Sequence, residues 1–225
     1  MTGRIVRHYL KPWLRLYVRG KLLGDPIFRA ASDLLAGSEL PVLDVGCGIG
    51  LFEFYLRERG YVAPLRGIDF DRKKIEQARR VASRSYREID FQVGDVLEAA
   101  PFQGHVLIFD VLHYLDEAKQ TELLAIIADL VAPGGLCLIR ATPRDESWRF
   151  RVTRWEEFFL RASLWMKSGA VHYLTIEQML APFRAAGFET EVRPLWGKTP
   201  FNSYLFVLRK PAVVRVVKPV AMVNG

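Results

Sequence analysis

The chain has 225 residues, half of them hydrophobic and a quarter charged, with a net charge of +7. That suffices for one globular domain with a real core and a small appendage, and no run approaches the ~18 apolar residues of a membrane-spanning helix. Two cysteines, Cys47 and Cys137, supply neither a disulfide framework nor a metal set and suit a reducing cytoplasm. The charge is uneven: residues 1–29 hold seven Lys/Arg against Asp25 alone, a balance of +6. The basic N-terminus lacks the continuous apolar core of a secretory signal.

Residues 1–38 read as a basic helical arm. Val6, Leu10, Trp13 or Leu14, and Tyr17 share one helical face, while Arg4, His8, Lys11, Arg15 and Arg19 share another. Pro12 breaks a single helix or opens one at its first turn. Three readings fit such an arm. It docks on the domain, it caps a ligand cleft, or residues 1–29 contact an anionic partner, which is a membrane surface, an acidic carrier protein or RNA. Asp25 then reads as an N-cap with Pro26 at the first helical position, opening a helix that stops at Gly37.

A domain over 39–210 begins with the stretch Val42-Leu43-Asp44-Val45-Gly46-Cys47-Gly48-Ile49-Gly50. An apolar strand runs into a glycine turn and then a helix, so backbone can approach a ligand closely. The glycine spacing departs from the dinucleotide fingerprint, which needs Gly-x-Gly-x-x-Gly. Asp44 at the strand end is also poorly suited to a pyrophosphate, which seeks N–H donors. A carboxylate there suits a cationic ligand such as S-adenosylmethionine (SAM), which carries an ammonium and a sulfonium. At this point the chain resembles the class I SAM-dependent methyltransferase family. The resemblance implies a Rossmann-like α/β fold, a doubly wound seven-stranded, mostly parallel sheet with an antiparallel C-terminal strand.

The second strand, 65–69, ends in Asp69, at the distance where such folds place a ribose-binding acid. Phe70 follows, within reach of an adenine face, and Asp71 is better placed than Asp69 to cap the helix over 72–85. The third strand, 89–93, ends in Gly94-Asp95-Val96. The resemblance implies that Asp95 accepts from the adenine amino group and that Val96 offers its N–H to the ring. Gly46, Cys47 and Gly48 complete the expected cofactor set.

The fourth strand, 105–109, ends in Asp110-Val111-Leu112-His113-Tyr114-Leu115. Ligands bind beyond the carboxyl ends of strands in open α/β sheets, so Asp110 and His113 emerge beside the expected methyl group. The pattern is similar to the Asp-Val-Leu-His-His-Leu type of small-molecule methyltransferase. Motifs that mark amino methylation of nucleic-acid bases are absent, which argues against a nucleic-acid acceptor, and no Asp/Asn cluster of the catechol type implies a metal. His113 is either the general base or a hydrogen-bonded structural histidine. Asp110 orients it from three residues away or contacts the methionine moiety.

A helix over 117–131 leads through Pro133-Gly134-Gly135 to a fifth strand ending at Arg140. Residues 141–174 read as a lid at the ligand end of the sheet. They contain Trp148, Arg151, Trp155 and Trp165, and Phe158, Phe159, Ala162, Trp165 and Met166 can form the inner face of a helix. Trp and Arg there suit an aromatic or anionic acceptor, or the tryptophans are simply packed. Tyr114, Arg140, Trp148 and Arg151 are the candidate acceptor contacts. Thr175 caps a further helix, strands follow near 188–195 and 203–209, and Val213–Val217 in the tail 211–225 is an edge strand or a loose end.

The Tyr17–Leu22 segment with Asp25-Pro26, and Trp148-Arg149-Phe150-Arg151, also resemble methyltransferases of bacterial aryl-polyene and related pigment clusters in secondary metabolism. That implies a phenolic acyl acceptor, free or carrier-bound. Two other functions fit the same residues: an RNA or ribosomal methyltransferase using the arm, and a non-catalytic SAM-binding module.

Overall fold

In the computed structural model of the chain the described residues are 1–96, 101–162, 172–197 and 199–212, without the side chains of 156–162. Trp165, Met166 and the Val213–Val217 segment lie outside them.

Three helices come first: α1 (Thr2–Val6), α2 (Pro12–Gly24) and α3 (Ile27–Leu35). The domain then alternates: β1 (Val42–Val45), α4 (Leu51–Glu58), β2 (Leu65–Asp69), α5 (Arg72–Ser85), β3 (Ile89–Val93) and β4 (His105–Phe109). It continues with α6 (Glu117–Leu130), β5 (Leu136–Ala141), α7 (Trp148–Ala162), α8 (Ile176–Ala185), β6 (Glu189–Pro194) and β7 (Tyr204–Arg209). The seven strands form one sheet in the order β3-β2-β1-β4-β5-β7-β6. β1 to β5 are mutually parallel where paired, and β7 runs antiparallel to both β5 and β6.

The period of two along each strand divides the core into two layers. Val42, Leu65, Leu107, Leu136, Leu138, Leu205 and Val207 face the layer covered by α1 to α5. Leu43, Val45, Val106, Ile108, Cys137, Ile139, Phe206 and Leu208 face the layer covered by α6 and α8. Central strands covered on both faces read as largely apolar runs, which is why β1, β4 and β5 stand out in the sequence. Asp44 in β1 and Arg140 in β5 belong to the site described below; the polar residue of β4 is His105. Its Nδ1 accepts from the Leu136 N–H at 2.9 Å and its Nε2 meets Ser38 Oγ at 2.7 Å. Burial pushes its pKa down to about 4, so it stays neutral and ties β4 to its neighbours.

The arm is docked, but on a different stripe from the one expected. Ile5, Tyr9, Leu14, Val18 and Leu22 are buried, whereas Leu10, Trp13 and Tyr17 are exposed. The reason is the break at Pro12, which sits at the first position of α2. It resets the helical phase, so the residues before and after it no longer share one face. Tyr9 Oη donates to the Ile49 carbonyl in the glycine turn at 3.3 Å, and Arg4 pairs with Glu58 at 2.6 Å. The helix after Asp25 starts one residue later than expected, with Pro26 rather than Asp25 at the N-cap position of α3. Asp25 Oδ1 still accepts from the Ile27 N–H at 3.2 Å, but its stronger partners are the cations described below. No helix among the described residues is long and apolar enough to cross a membrane.

Candidate active site

Every strand end named in the sequence comes out on one edge of the sheet. The chain order reverses between β1 and β4, and in open α/β sheets that switch point is where ligands bind. Gly46 opens the turn there with φ 78°, and a Cβ on it would lie 2.2 Å from Val111 Cγ2. Only glycine fits between β1 and the segment after β4. A Cβ on Gly48 would meet nothing within 4 Å, so the turn borders open space.

Asp69 holds this turn. Its Oδ2 accepts from the Gly48 N–H at 2.9 Å and its Oδ1 from the Asp71 N–H at 2.8 Å. Asp71 in turn caps α5 through the Lys73 and Lys74 N–H groups. Phe70 stands out from the end of β2, exposed beside it. Asp95 is at the surface beyond β3, with Val96 buried behind it. The open turn, the fixed carboxylate and an exposed ring fit an adenosine with a free ribose diol.

Beneath the turn lies an acidic cluster that the sequence only half revealed. Asp44 is 3 % exposed, and its pKa is pushed up to about 7 by burial first and by Asp69 second. Glu53 is 0 % exposed, and neither carboxylate oxygen has a hydrogen-bond partner. Burial, then Asp44, pushes Glu53 well above the usual carboxylate range. Its Oε1 would lie 2.4 Å from a Cβ on Gly67, so glycine in β2 is what admits it. An acid in the first turn of a helix normally reads as a surface charge near the dipole. Its flanking run of Leu51, Phe52, Phe54 and Tyr55, all buried, was the available signal. The Cys47 thiol beside them is raised by burial and by the three carboxylates, so it is not poised as a nucleophile.

A pH dependence follows. A carboxyl whose folded-state pKa lies above its unfolded value stabilises the fold at low pH, and that contribution is lost as pH rises from about 4 through about 7. A cation bound at Asp44 favours the ionised form and reverses this pressure. SAM affinity is therefore expected to rise with pH, by up to about tenfold per unit, until about pH 7 and then level off. Calorimetric titration across that range should show the rise in the wild type and a flat profile in Asp44→Asn.

The other half of the site is a cavity of about 810 Å³ beyond β4 and β5. Asp110, His113, Tyr114, Arg140 and Thr142 form its floor, Trp13, Tyr17 and Lys21 of α2 one wall, and Trp196, Phe201 and Ser203 another. The arm therefore borders the cleft as well as docking. Asp110 has φ 59°, the left-handed region that a non-glycine residue enters at a cost. Arg140 holds it there: Nε donates to Asp110 Oδ1 at 2.8 Å, Nη2 donates to Oδ2, and Nη1 reaches Asp25 Oδ1 at 2.5 Å. Lys21 closes the chain on Asp25 Oδ2 at 3.1 Å. Burial alone would raise Asp25, but Arg140 and Lys21 overcome it and hold the carboxyl below its usual range.

This network bears on the two expected roles of Asp110, orienting His113 or contacting the methionine moiety. The Asp110 carboxylate is paired with Arg140 and acts on the His113 ring through its charge. His113 lies on the 3-10 turn Leu112–Tyr114, where its ring packs near Tyr114 and Tyr173 and its carbonyl accepts from the His172 N–H at 3.1 Å. Burial lowers its pKa and Asp110 raises it; burial wins, so the imidazole is neutral at pH 7. Tyr173 escaped the sequence reading, since only the fold brings it to His113. Trp148 and Arg151 are not among the cavity-lining residues. Arg149 lies over both Trp148 and Trp196 and donates to the Thr199 carbonyl at 2.7 Å. Trp148 is thereby stacked in a surface cluster, and Arg151 is exposed on α7. Among the described residues, the tryptophans that line the cavity are Trp13 and Trp196.

The strand order, the switch-point turn and the carboxylates at successive strand ends define the class I SAM-dependent methyltransferase architecture. Residues 42–135 match the family described as a methyltransferase domain. The demethylmenaquinone methyltransferase of Deinococcus radiodurans is 29% identical over 184 residues, covering 74% of this chain and 75% of that protein. The ribosomal protein L11 methyltransferase of Burkholderia ambifaria is 31% identical, but over 49% of this chain and 35% of that protein. Among solved structures, the magnesium protoporphyrin IX methyltransferase of Synechocystis PCC 6803 with bound SAH superposes with a TM-score of 0.65 at 16% identity, covering 92% of both chains. Residues 42–135 thus carry a methyltransferase domain, and the activity that the fold and these similarities support is SAM-dependent methyl transfer.

Proposed function

We propose that this enzyme methylates a small aromatic acceptor through an O–H or N–H group, with His113 as the general base. The observation that carries the reading is a half-buried imidazole, its pKa lowered by desolvation, that lines a largely apolar cavity beside the cofactor strand ends. SAM supplies a methyl group on a sulfonium, already activated for in-line displacement. The protein's task is then alignment and removal of one proton. His113 takes that proton from the acceptor as its lone pair attacks. Asp69 holds the ribose diol, and Asp44, once ionised, favours the ammonium. The rings of Trp13, Tyr17, Trp196 and Phe201 suit a flat acceptor. The relative named for demethylmenaquinone supports a small ring system. The resemblance to pigment-cluster enzymes supports a phenol. The partial match to a ribosomal-protein enzyme spans too little of that protein to carry its acceptor across.

Labelled SAM incubated with a panel of phenols, quinols and aromatic acids should yield one methylated class. In His113→Ala, kcat is expected to fall by about 10²–10⁴ with SAM affinity unchanged. The wild-type kcat/KM should show an acid limb below about pH 6.5, the side to which burial moves the histidine. Turnover of His113→Ala at the wild-type level would reject the assignment.

A further inference from the structure

We propose that the outward face of α2 docks on an anionic lipid bilayer, turning the mouth of the acceptor cavity toward the lipid. At 3.6 residues per turn, the buried stripe Leu14, Val18 and Leu22 places Leu16 and Leu23 on the opposite side of α2, with Trp13 and Gly20 next to them. Soluble proteins put polar residues on that side. Here Leu16 is 74% exposed and Leu10, just before the helix, 72%. Large apolar side chains grouped on a surface mark an interaction site more often than chance exposure.

Charge selects the partner. No acidic residue precedes Asp25 in the sequence, and Asp25 itself is tied to Arg140 and Lys21. Arg4 is paired with Glu58. Arg7, Lys11, Arg15 and Arg19 are exposed and form no ion pair among the described residues. Arg15 and Arg19 lie on one flank of α2, between the buried stripe and the apolar face. Cations at the edge of a Leu/Trp face match the boundary between lipid headgroups and acyl chains, where Arg reaches up to phosphate and Trp settles in the interface. The exposed Leu10, Leu16 and Leu23 beside these cations suit acyl chains better than the polar surface of an acidic protein.

The platform is rigid, since Tyr9 is hydrogen-bonded to the glycine turn and Asp25 to Arg140. Trp13 and Leu16 belong both to this face and to the cavity wall. An amphiphilic acceptor dissolved in the bilayer can therefore enter without crossing water. That consequence rests on the small-acceptor reading above; the docking itself does not.

Flotation of the full chain with phosphatidylcholine vesicles, alone or mixed with phosphatidylglycerol, tests this. The wild type is expected to float with the mixed vesicles, to bind neutral ones far more weakly, and to detach as salt is raised. Lys11→Glu with Arg19→Glu should lower partitioning by roughly fivefold or more per residue. Leu10→Glu with Leu23→Glu, neither of which lines the cavity, should abolish it while SAM affinity and turnover of a water-soluble acceptor stay at wild-type levels. Failure of the wild type to bind mixed vesicles overturns the proposal. So does vesicle binding by the Leu10/Leu23 variant equal to wild type, or salt-sensitive capture of an acidic acyl carrier protein without vesicle binding. Loss of SAM binding in the wild type would instead bear on the methyltransferase site and leave the flotation result standing.

Discussion

Asp69→Ala is expected to weaken SAM binding by about 100-fold or more. Hydrogen bonds to a charged group contribute roughly 1.5–3 kcal/mol each, and in the proposed role the carboxylate accepts from the ribose hydroxyls. It also fixes the turn that the cofactor meets, through Gly48 N–H at 2.9 Å, and its own strand end, through Asp71 N–H at 2.8 Å. Removing it deletes the proposed ribose contacts and leaves two N–H groups without their acceptor. Asp69→Asn keeps the shape and one acceptor oxygen, so about a tenfold loss is expected. Isothermal titration with SAM and with the demethylated product reports both variants. An unchanged dissociation constant for Asp69→Ala would remove Asp69 from the cofactor site.

The second large effect is on stability. Arg140 and Asp25 are both almost fully buried, with side chains 11% and 12% exposed. Removing one partner of a buried ion pair costs about 3–5 kcal/mol, because the remaining charge is left uncompensated. Arg140→Ala is expected to fall in this range and to lower Tm by roughly 10 °C for a chain of this size. It also releases Asp110 from its left-handed backbone conformation beside the acceptor cavity, so turnover should fall together with stability. The pH dependence identifies the cause. Asp25 has a folded-state pKa held below its unfolded value, so its contribution is present above about pH 4 and disappears as pH falls through the lower, folded-state value. The gap between wild type and variant, measured by denaturant unfolding, should therefore narrow in acid. A gap of constant size would mean that lost packing rather than charge is responsible.

The parts of the fold that were legible in the sequence are those written in local pattern. The strand runs of β1, β4 and β5 are apolar apart from Asp44, His105 and Arg140, because both faces are covered. The helix over Arg72–Ser85 carries its own cap in Asp71. Asp44, Asp69, Asp95 and Asp110 are legible because a strand followed by a turn announces its own end. The lid contacts were harder. Trp148 and Arg151 have the right chemistry for an aromatic or anionic acceptor, but which side of α7 faces the cleft depends on its packing. Arg149, one residue along, makes the bridge to Trp196 instead.

Sequence alone sufficed for the class of enzyme, the order of elements and the acids at the strand ends, because each depends on residues within a few positions of one another. It did not suffice for pairings across long separations. Arg140 with Asp25 spans 115 positions, and Glu53 beneath Gly67 depends on two elements meeting in register. The stripe on which the arm docks was settled by the break at Pro12 and by the surface awaiting it. Local chemistry names the groups, and only packing says which of them lose water, find a partner or face the cleft.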